Sequence, residues 1–280
     1  MAFIRAEFMS ECLKRIVPIT VILPCDTTNF SGTGTNPAKP PYKTLYLLHG
    51  IYGSDMDWVT NTNVTRLARE RQIAVIMPAA ENRFYTDDEA SGMRFGEYIG
   101  KELVEVTRRM FPLSEKREDT FIGGMSMGGY GALINGLRNP DTFGYIAAMS
   151  SAVVSTEFFA PGSPLPTPLD EKGYQRALFG DIDLNSSEKN PIILLERLAK
   201  EKTALPQIRL SAGEKDPLWT HTERMHRKLE ELGLSHEYLI AEGMGHNFEF
   251  WREDIRRVLD WLPHGDIIPI MDSGDVFGQK

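Results

Sequence analysis

Ser126 stands at the centre of the pentapeptide Gly124-Met125-Ser126-Met127-Gly128, between a strand-like run and a helix-like run. Glycines two positions either side of the serine allow a sharp strand-to-helix turn, where a side chain would clash. Such a turn presents the hydroxyl above the sheet, and the helix N-terminus beneath it favours developing negative charge. A Gly-x-Ser-x-Gly pattern also occurs by chance, but in this context it predicts a nucleophilic serine.

A serine hydroxyl is a weak nucleophile at neutral pH and needs a neighbouring imidazole to accept its proton. His246 is the best placed of the six histidines, because its glycine-rich loop lies between the last predicted strand and the last predicted helix. The remaining histidines precede the serine, lie in or beside charged segments, or follow the last helix, and they are His49, His221, His226, His236 and His264. We therefore predict His246 as the general base.

Where a nucleophilic serine lies on a strand-to-helix turn of this kind, the acid of the triad follows it in the chain and the histidine follows the acid. We therefore expect the acid between Ser126 and His246. Asp216 follows a predicted strand directly, where its carboxylate can receive the imidazole N–H and hold the correct tautomer. Glu214 is the main alternative for this role. Asp216 could also be a turn residue before Pro217, which is a common structural use of aspartate.

Attack on a carbonyl carbon creates an anionic oxygen that two backbone N–H groups can stabilise. One donor is expected from Met127, the residue after the nucleophile. The loop 49–53, which contains two glycines and follows a predicted strand, should supply the other. We predict Ile51 N–H as that donor, with Tyr52 as the alternative, and we interpret His49 as a brace for the loop.

Aromatic side chains lie on several loops that should surround this site, where they could line a substrate pocket. Ordinary core packing is the competing interpretation for each of them. They are Tyr52, Trp58, Tyr85, Trp219 and Phe248.

The elements that must position these residues alternate along the chain. Residues 3–25 read as antiparallel strands at a sheet edge. Further strands are predicted at 44–50, 73–78, 119–124, 145–151, 206–213 and 235–243, and helices at 63–72, 96–111, 128–139, 220–233 and 248–262. This alternation predicts an α/β domain over residues 1–280, with a mostly parallel central sheet and helices on both faces.

Residues 152–190 interrupt the alternation with a proline-rich stretch, PGSPLPTPLDEKG. Long segments of this kind usually pass over the surface and often carry function. We predict a small cap or lid over the carboxyl edge of the sheet.

Composition excludes several classes of partner. The net charge of −8 and the absence of a basic cluster argue against binding to nucleic acid or an anionic membrane. The charged N-terminal residues and the lack of a long apolar run favour a cytoplasmic protein.

Cys12 and Cys25 are expected as free thiols, with a disulfide as the alternative, and neither belongs to a metal-binding pattern. We therefore expect no metal ion.

Several segments together resemble the esterase D and tributyrin esterase group of serine esterases, which also contains carbohydrate and feruloyl esterases and the mycolyltransferases. The segments are LLHGIYGSDMDW, ENRFYTD, FIGGMSMGGYGAL, NPDTFGYIAAMSS, GEKDPLW and GMGHNFEFWREDIRRVLDWL. The resemblance implies the α/β-hydrolase fold and hydrolysis of short-chain acyl esters through an acyl-enzyme, without metal or organic cofactor. The proline-rich stretch at 152–170 departs from this pattern.

The expected activity is therefore that of a serine carboxylesterase acting on small acetyl, butyryl or feruloyl esters, in a protein that could form a homo-oligomer. An S-formylglutathione-type thioesterase and an acyltransferase are alternatives on the same scaffold. A non-catalytic binding protein is the alternative from another class, because a fold alone does not dictate a function.

Overall fold

The computed structural model describes residues 2–25, 39–88, 91–159 and 172–268. Its strands, in chain order, are β1 (Ala2–Ser10), β2 (Arg15–Leu23), β3 (Thr44–Leu48), β4 (Ala74–Pro78), β5 (Asp87–Asp88), β6 (Met93–Arg94), β7 (Thr120–Met125), β8 (Tyr145–Met149), β9 (Gln207–Gly213) and β10 (His236–Ala241). Eight of these form the main sheet in the order β1-β2-β4-β3-β7-β8-β9-β10, and β5 pairs with β6 separately.

The main sheet is antiparallel only at its N-terminal edge. β1 pairs antiparallel with β2, and β2 pairs antiparallel with β4. All other neighbours in the sheet are parallel. The predicted antiparallel edge and mostly parallel sheet are therefore confirmed.

Helices cover both faces of the sheet. They are α1 (Asp57–Asn61), α2 (Val64–Arg71), α3 (Phe95–Glu97), α4 (Leu103–Met110), α5 (Met127–Arg138), α6 (Lys172–Phe179), α7 (Pro191–Lys200), α8 (Trp219–Glu231) and α9 (Phe248–Trp261). The helices α1, α2 and α9 pack in one apolar cluster, and α4, α5, α7 and α8 pack in another.

The central strands take part in both clusters. On β3, Tyr46 and Leu48 belong to one cluster while Leu45 and Leu47 belong to the other, since successive side chains point to opposite faces. Every residue of β3, β4 and β7 is buried. This double coverage explains why the strands are continuous apolar runs rather than alternating ones.

Two of the helical differences from the sequence prediction have a readable local cause. The helix predicted at 96–111 contains a π-helical turn at Tyr98–Glu102, where Gly100 lies against Asn139 so closely that a Cβ atom would clash. Helix α7 was not predicted, although its signals are readable. The Asn190 side chain accepts a hydrogen bond from Ile192 N–H at 3.0 Å, and Pro191 begins the helix.

The predicted cap is only partly described. Residues 160–171, which hold its prolines, lie outside the described residues. On either side of them, a short 3₁₀ helix (Thr156–Phe159) and α6 pack aromatic rings together, with Phe159 and Phe179 at a centroid distance of 5.6 Å. A mobile cap stays a prediction.

A buried ion pair joins the sheet to the last helix. Arg209 of β9 donates to Asp254 of α9 through Nη2–Oδ1 at 2.7 Å and Nη1–Oδ2 at 3.0 Å, and both side chains are almost fully buried. Asp254→Ala leaves the buried guanidinium without its main partner. We expect the free energy of unfolding to fall by about 3–5 kcal/mol in urea denaturation.

The control for this change removes both charges, in the double variant Arg209→Met/Asp254→Leu. It should be more stable than Asp254→Ala, because it leaves no unpaired charge in the core. A loss below about 1 kcal/mol in the single variant, typical of surface pairs, would contradict the prediction.

Candidate active site

Ser126 occupies the sharp turn between β7 and α5. Its φ of 57° and ψ of −119° fall outside the regions that most residues adopt. A Cβ atom on Gly124 would collide with the carbonyl of Gly128, and one on Gly128 would collide with the carbonyl of Leu48. Glycine is therefore required on both sides of the serine for the turn to form.

The structure brings three of the predicted site residues together, although they are far apart in sequence. His246 Nε2 lies 3.0 Å from Ser126 Oγ. His246 Nδ1 lies 2.9 Å from Asp216 Oδ2 and 3.0 Å from Oδ1. Each residue follows the carboxyl end of a strand of the parallel part of the sheet, namely β7, β9 and β10. The arrangement can pass a proton from the serine hydroxyl to the imidazole.

The Asp216 carboxylate is fully buried and rich in donors. Besides the His246 imidazole, it accepts a hydrogen bond from Leu218 N–H at 2.7 Å. Burial raises the pKa of Asp216, but the hydrogen bonds and charge of its partners lower it by more, so the pKa lies below its ordinary value. Asp216 is therefore a carboxylate at neutral pH.

Glu214, the alternative acid, is placed differently. Its side chain is exposed, and its carboxylate accepts a hydrogen bond from Gly243 N–H at 2.9 Å. That contact closes the turn after β10, whereas the Asp216 carboxylate contacts His246 directly.

The loop after β3 passes next to the serine. A Cβ atom built on Gly50 would lie 3.6 Å from Ser126 Cβ. Tyr52 N–H donates to Asn82 Oδ1 at 2.8 Å, so this alternative oxyanion donor is already engaged. The N–H groups of Ile51 and Met127 have no acceptor among the described residues. Both are therefore available to an anionic oxygen bound beside Ser126.

His49 fixes this loop through contacts of both its ring nitrogens. Its Nδ1 lies 2.7 Å from Gly50 O, and its Nε2 lies 3.0 Å from Ala80 N. Since Ala80 N–H can only donate, Nε2 accepts and Nδ1 carries the proton. Burial lowers the pKa of His49, which keeps this neutral tautomer in place. These are the contacts of a brace, as the sequence interpretation proposed.

The five predicted rim aromatics divide into two groups. Tyr52 and Trp219 are exposed, and Phe248 is half-buried. Trp58 and Tyr85 correct the prediction, because both are fully buried and take the core role instead. The Trp58 indole N–H donates to the carbonyl oxygen of Leu48 at 3.0 Å, and the Tyr85 hydroxyl donates to that of His49 at 2.8 Å.

Sequence reasoning missed two residues behind the triad, Ser150 and Trp251. Trp251 Nε1–H donates to Ser150 Oγ at 3.1 Å, and the Trp251 ring lies edge-on to the His246 ring at 5.0 Å. The readable signal for Ser150 was a polar residue directly after β8, the strand beside the nucleophile strand. Trp251 gave no such signal, because a tryptophan on an amphipathic helix is most simply a core residue.

The low pKa of Asp216 predicts how acid affects stability. A carboxylate with a lower pKa in the folded state adds stability that is complete above its unfolded pKa of about 3.9. That contribution is lost as the pH falls through the folded value. In urea denaturation at a series of pH values, wild type should lose stability relative to Asp216→Asn below about pH 4. A stability difference that stays constant or grows in acid would contradict this assignment.

Within the described ranges, no helix is long and apolar enough to cross a membrane. The same residues contain no group of three or more His, Cys, Asp or Glu side chains that could hold a metal ion.

Comparison with known proteins gives a consistent result. Residues 10–262 match the sequence family described as "Putative esterase". The chain is 37% identical over 263 residues to an acetyl esterase of Caldicellulosiruptor saccharolyticus, covering 94% of this chain and 98% of that protein.

Two solved structures of Staphylococcus aureus proteins are also similar to this chain. The apoenzyme of S-formylglutathione hydrolase FrmB superposes with a TM-score of 0.78 at 28% identity, covering 93% of this chain and 98% of that chain. The fluorophosphonate-binding serine hydrolase FphF superposes with a TM-score of 0.80 at 27% identity and the same coverage. A ferulic acid esterase at 18% identity, with a TM-score of 0.71, shares the fold. The chain therefore belongs to the "Putative esterase" family and is a serine ester hydrolase with the α/β-hydrolase fold.

Proposed function

We propose that this protein hydrolyses short-chain acyl esters, acetyl esters first among them, with Ser126 as nucleophile, His246 as general base and Asp216 as the acid that orients the histidine. The observation that carries the proposal is the continuous contact from Ser126 Oγ to His246 Nε2, at 3.0 Å, and from His246 Nδ1 to Asp216, at 2.9 Å. The acetyl esterase relative supports the choice of acyl group.

The reaction begins when His246 Nε2 accepts the Ser126 hydroxyl proton and Oγ forms a bond to the ester carbonyl carbon. The carbonyl oxygen takes the displaced electron pair and accepts hydrogen bonds from Ile51 N–H and Met127 N–H. His246 then protonates the leaving alcohol as the carbon–oxygen bond breaks. A water molecule repeats these steps on the acyl-enzyme, which frees the acid and returns the proton to Ser126.

The negative charge of Asp216 stabilises the imidazolium that forms at each step. Its buried position and low pKa keep that charge in place at neutral pH. Tyr52 on the loop after β3 and Trp219 at the start of α8 are exposed aromatic residues, and we propose that they contact the substrate. Phe248, half-buried at the start of α9, is proposed to line the same pocket.

A thioesterase acting on S-formylglutathione is the second candidate, and FrmB supports it through sequence and fold. Acyl transfer to an alcohol would use the same triad with another acceptor in place of water. Butyryl and feruloyl esters remain candidate substrates, the latter by fold likeness alone. A non-catalytic role is disfavoured, because hydrogen bonds already link all three groups of the triad.

We also propose a cytoplasmic location, which two free cysteines, Cys12 and Cys25, support. The net charge of −8 supports a small-molecule substrate rather than a nucleic acid or membrane partner.

The test compares hydrolysis of p-nitrophenyl acetate, butyrate and octanoate, methyl ferulate and S-formylglutathione under one set of conditions. The proposal expects the highest kcat/KM on the acetyl ester. A preference for S-formylglutathione would favour the thioesterase. Poor turnover of all substrates that improves on adding an alcohol would indicate a transferase, and no turnover of any of them would contradict esterase function.

A further inference from the structure

The N-terminal strand β1 forms one edge of the main sheet. Among the described strands its neighbour is β2, so the backbone groups along its other side face outward. Its side chains alternate between a half-buried set that packs on the core and an exposed set. The half-buried set is Ala2, Ile4, Ala6 and Phe8, and the exposed set is Phe3, Arg5, Glu7 and Met9.

The exposed face of this edge is unusually apolar. Phe3 is 46% exposed, Met9 64% and Ile16 57%. Met9 and Ile16 stand directly opposite each other in the β1–β2 register and therefore share one face of the hairpin. A long edge strand that exposes apolar side chains favours pairing with another strand, unless charges or prolines oppose it.

The charges on β1 do not oppose pairing with a second copy of the same strand. In antiparallel pairing about a two-fold axis at Ala6, Arg5 faces the partner subunit's Glu7, and Phe3 faces the partner subunit's Met9. Opposite charges and apolar pairs at such positions stabilise a sheet. We propose that β1 pairs with β1 of a second copy in this register, so that two eight-stranded sheets form one continuous sheet across a symmetric dimer.

The side-chain pattern also selects the register. A two-fold axis keeps equivalent faces together, so alternative registers differ by two residues. A shift one way places Arg5 opposite Arg5 of the partner subunit, and a shift the other way places Glu7 opposite Glu7 of the partner subunit. Like charges directly opposite each other are destabilising.

The two charged residues differ in how they are engaged within one subunit. Glu7 has no ion-pair partner among the described residues. Arg5 contacts Asp55 at 3.3 Å, yet its side chain remains 57% exposed, so it can face a second carboxylate. Pairing would therefore neutralise an unpaired glutamate on each subunit.

Sedimentation velocity of the full chain tests the proposal. Wild type should sediment with twice the 31.6 kDa mass of one chain. Glu7→Arg should be monomeric, because it sets two arginines opposite each other, and the charge-exchange variant Arg5→Glu/Glu7→Arg should recover dimer. Glu115→Arg, the same charge change at an exposed site elsewhere, should stay dimeric. A monomeric wild type, or a dimer that Glu7→Arg leaves intact, overturns the proposal.

Cross-linking tests the register independently of any substitution at Arg5. In a Cys25→Ser background, Ala6→Cys places two thiols at the two-fold axis, where mild oxidation should link the subunits. Glu7→Cys faces Arg5 of the partner subunit and should link poorly. Equal linkage of the two variants, or linkage of Glu7→Cys alone, overturns the register.

A second inference concerns Ser150, which lies behind the triad. Ser150 is fully buried, its N–H donates to Ser211 O at 2.7 Å, and its φ is 49°, a left-handed conformation uncommon for serine. Ser150 Oγ accepts from the Trp251 indole N–H, which leaves its own proton to be donated, and Ser150 is among the groups that lower the pKa of the Asp216 carboxylate. This places a chain of oriented donors behind the catalytic acid.

We infer that Ser150 is a positioning residue, which fixes the Asp216 carboxylate toward His246 and is itself oriented by Trp251. The Trp251 ring also packs edge-on against His246, so Trp251 contacts both Ser150 and the proposed general base. A buried polar chain of this kind acts as a unit, because each group orients the next.

Two substitutions separate the hydroxyl from the backbone strain. Ser150→Ala removes the hydroxyl, and Ser150→Gly removes both the hydroxyl and the cost of the positive φ. Both should lower kcat on p-nitrophenyl acetate about tenfold, equivalent to about 1.4 kcal/mol, with KM nearly unchanged. Trp251→Phe, which keeps a ring but loses the N–H, should act in the same direction.

A purely structural role would not change the protonation behaviour of the triad. With one donor fewer, the Asp216 carboxylate holds the imidazolium more strongly, so the acid limb of kcat/KM should move to higher pH in Ser150→Ala. The low-field proton resonance of the His246–Asp216 hydrogen bond should shift as well. Full kcat in Ser150→Gly, or an unmoved acid limb and resonance in both variants, overturns this inference.

Discussion

Ser126→Ala is expected to abolish hydrolysis of p-nitrophenyl acetate, with kcat/KM falling roughly 10⁴- to 10⁶-fold. The alanine leaves His246 without a nucleophile to activate, whereas the oxyanion donors stay in place. The fold should survive, because the backbone of the turn depends on Gly124 and Gly128 rather than on the serine hydroxyl. The measurements are initial rates and thermal unfolding of both proteins.

Covalent labelling makes this prediction specific. A fluorophosphonate should label wild type and Ser235→Ala equally, since Ser235 is exposed on the loop before β10. It should not label Ser126→Ala. Labelling that persists in Ser126→Ala at the wild-type rate would place the nucleophile on another serine and contradict the proposed mechanism.

Asp216→Asn carries the second largest expected effect, a loss of about 10⁴-fold in kcat. The carboxylate accepts a hydrogen bond from His246 Nδ1–H, and an amide can present a donor there instead, which favours the wrong tautomer. An amide also cannot balance the imidazolium charge. Rates are measured across the neutral range, together with urea denaturation to show that the variant is folded.

Glu214→Gln is the matched control, because it neutralises a carboxylate two residues away. It should retain nearly full activity, since the Glu214 carboxylate contacts Gly243 N–H rather than His246. Full activity in Asp216→Asn with a large loss in Glu214→Gln would transfer the acid role to Glu214.

Local patterns in the sequence were sufficient for the fold class and for most of its elements. Strand-sized apolar runs alternate with amphipathic helices, and this order leaves a mostly parallel sheet with helices on both faces as the simplest solution. The glycines around Ser126 and the glycine-rich loop around His246 mark turns at strand ends, where parallel strands bring distant residues to one edge. Ser126 and His246 of the proposed site could therefore be predicted from local sequence.

Burial, by contrast, was decided only by the tertiary structure. Trp58 and Tyr85 stand in loop-like sequence beside the predicted site, and no local pattern distinguishes an aromatic ring that lines a pocket from one that packs inward. The same holds for Asp216 and Glu214, which differ by two positions. Their distinction depends on which carboxylate meets an imidazole thirty residues further along the chain.

The contacts behind the site could not be predicted from the sequence either. The contacts of Trp251 with Ser150 and with His246 join residues from the end of β8, the loop after β10 and α9. The order Phe3, Arg5, Glu7 and Met9 suits antiparallel pairing of β1 with a second copy of itself. Such pairing is possible only because β1 lies at the edge of the sheet, which the sequence alone does not show. Sequence determines local conformation through short-range sterics and periodicity, whereas these contacts depend on how distant elements pack.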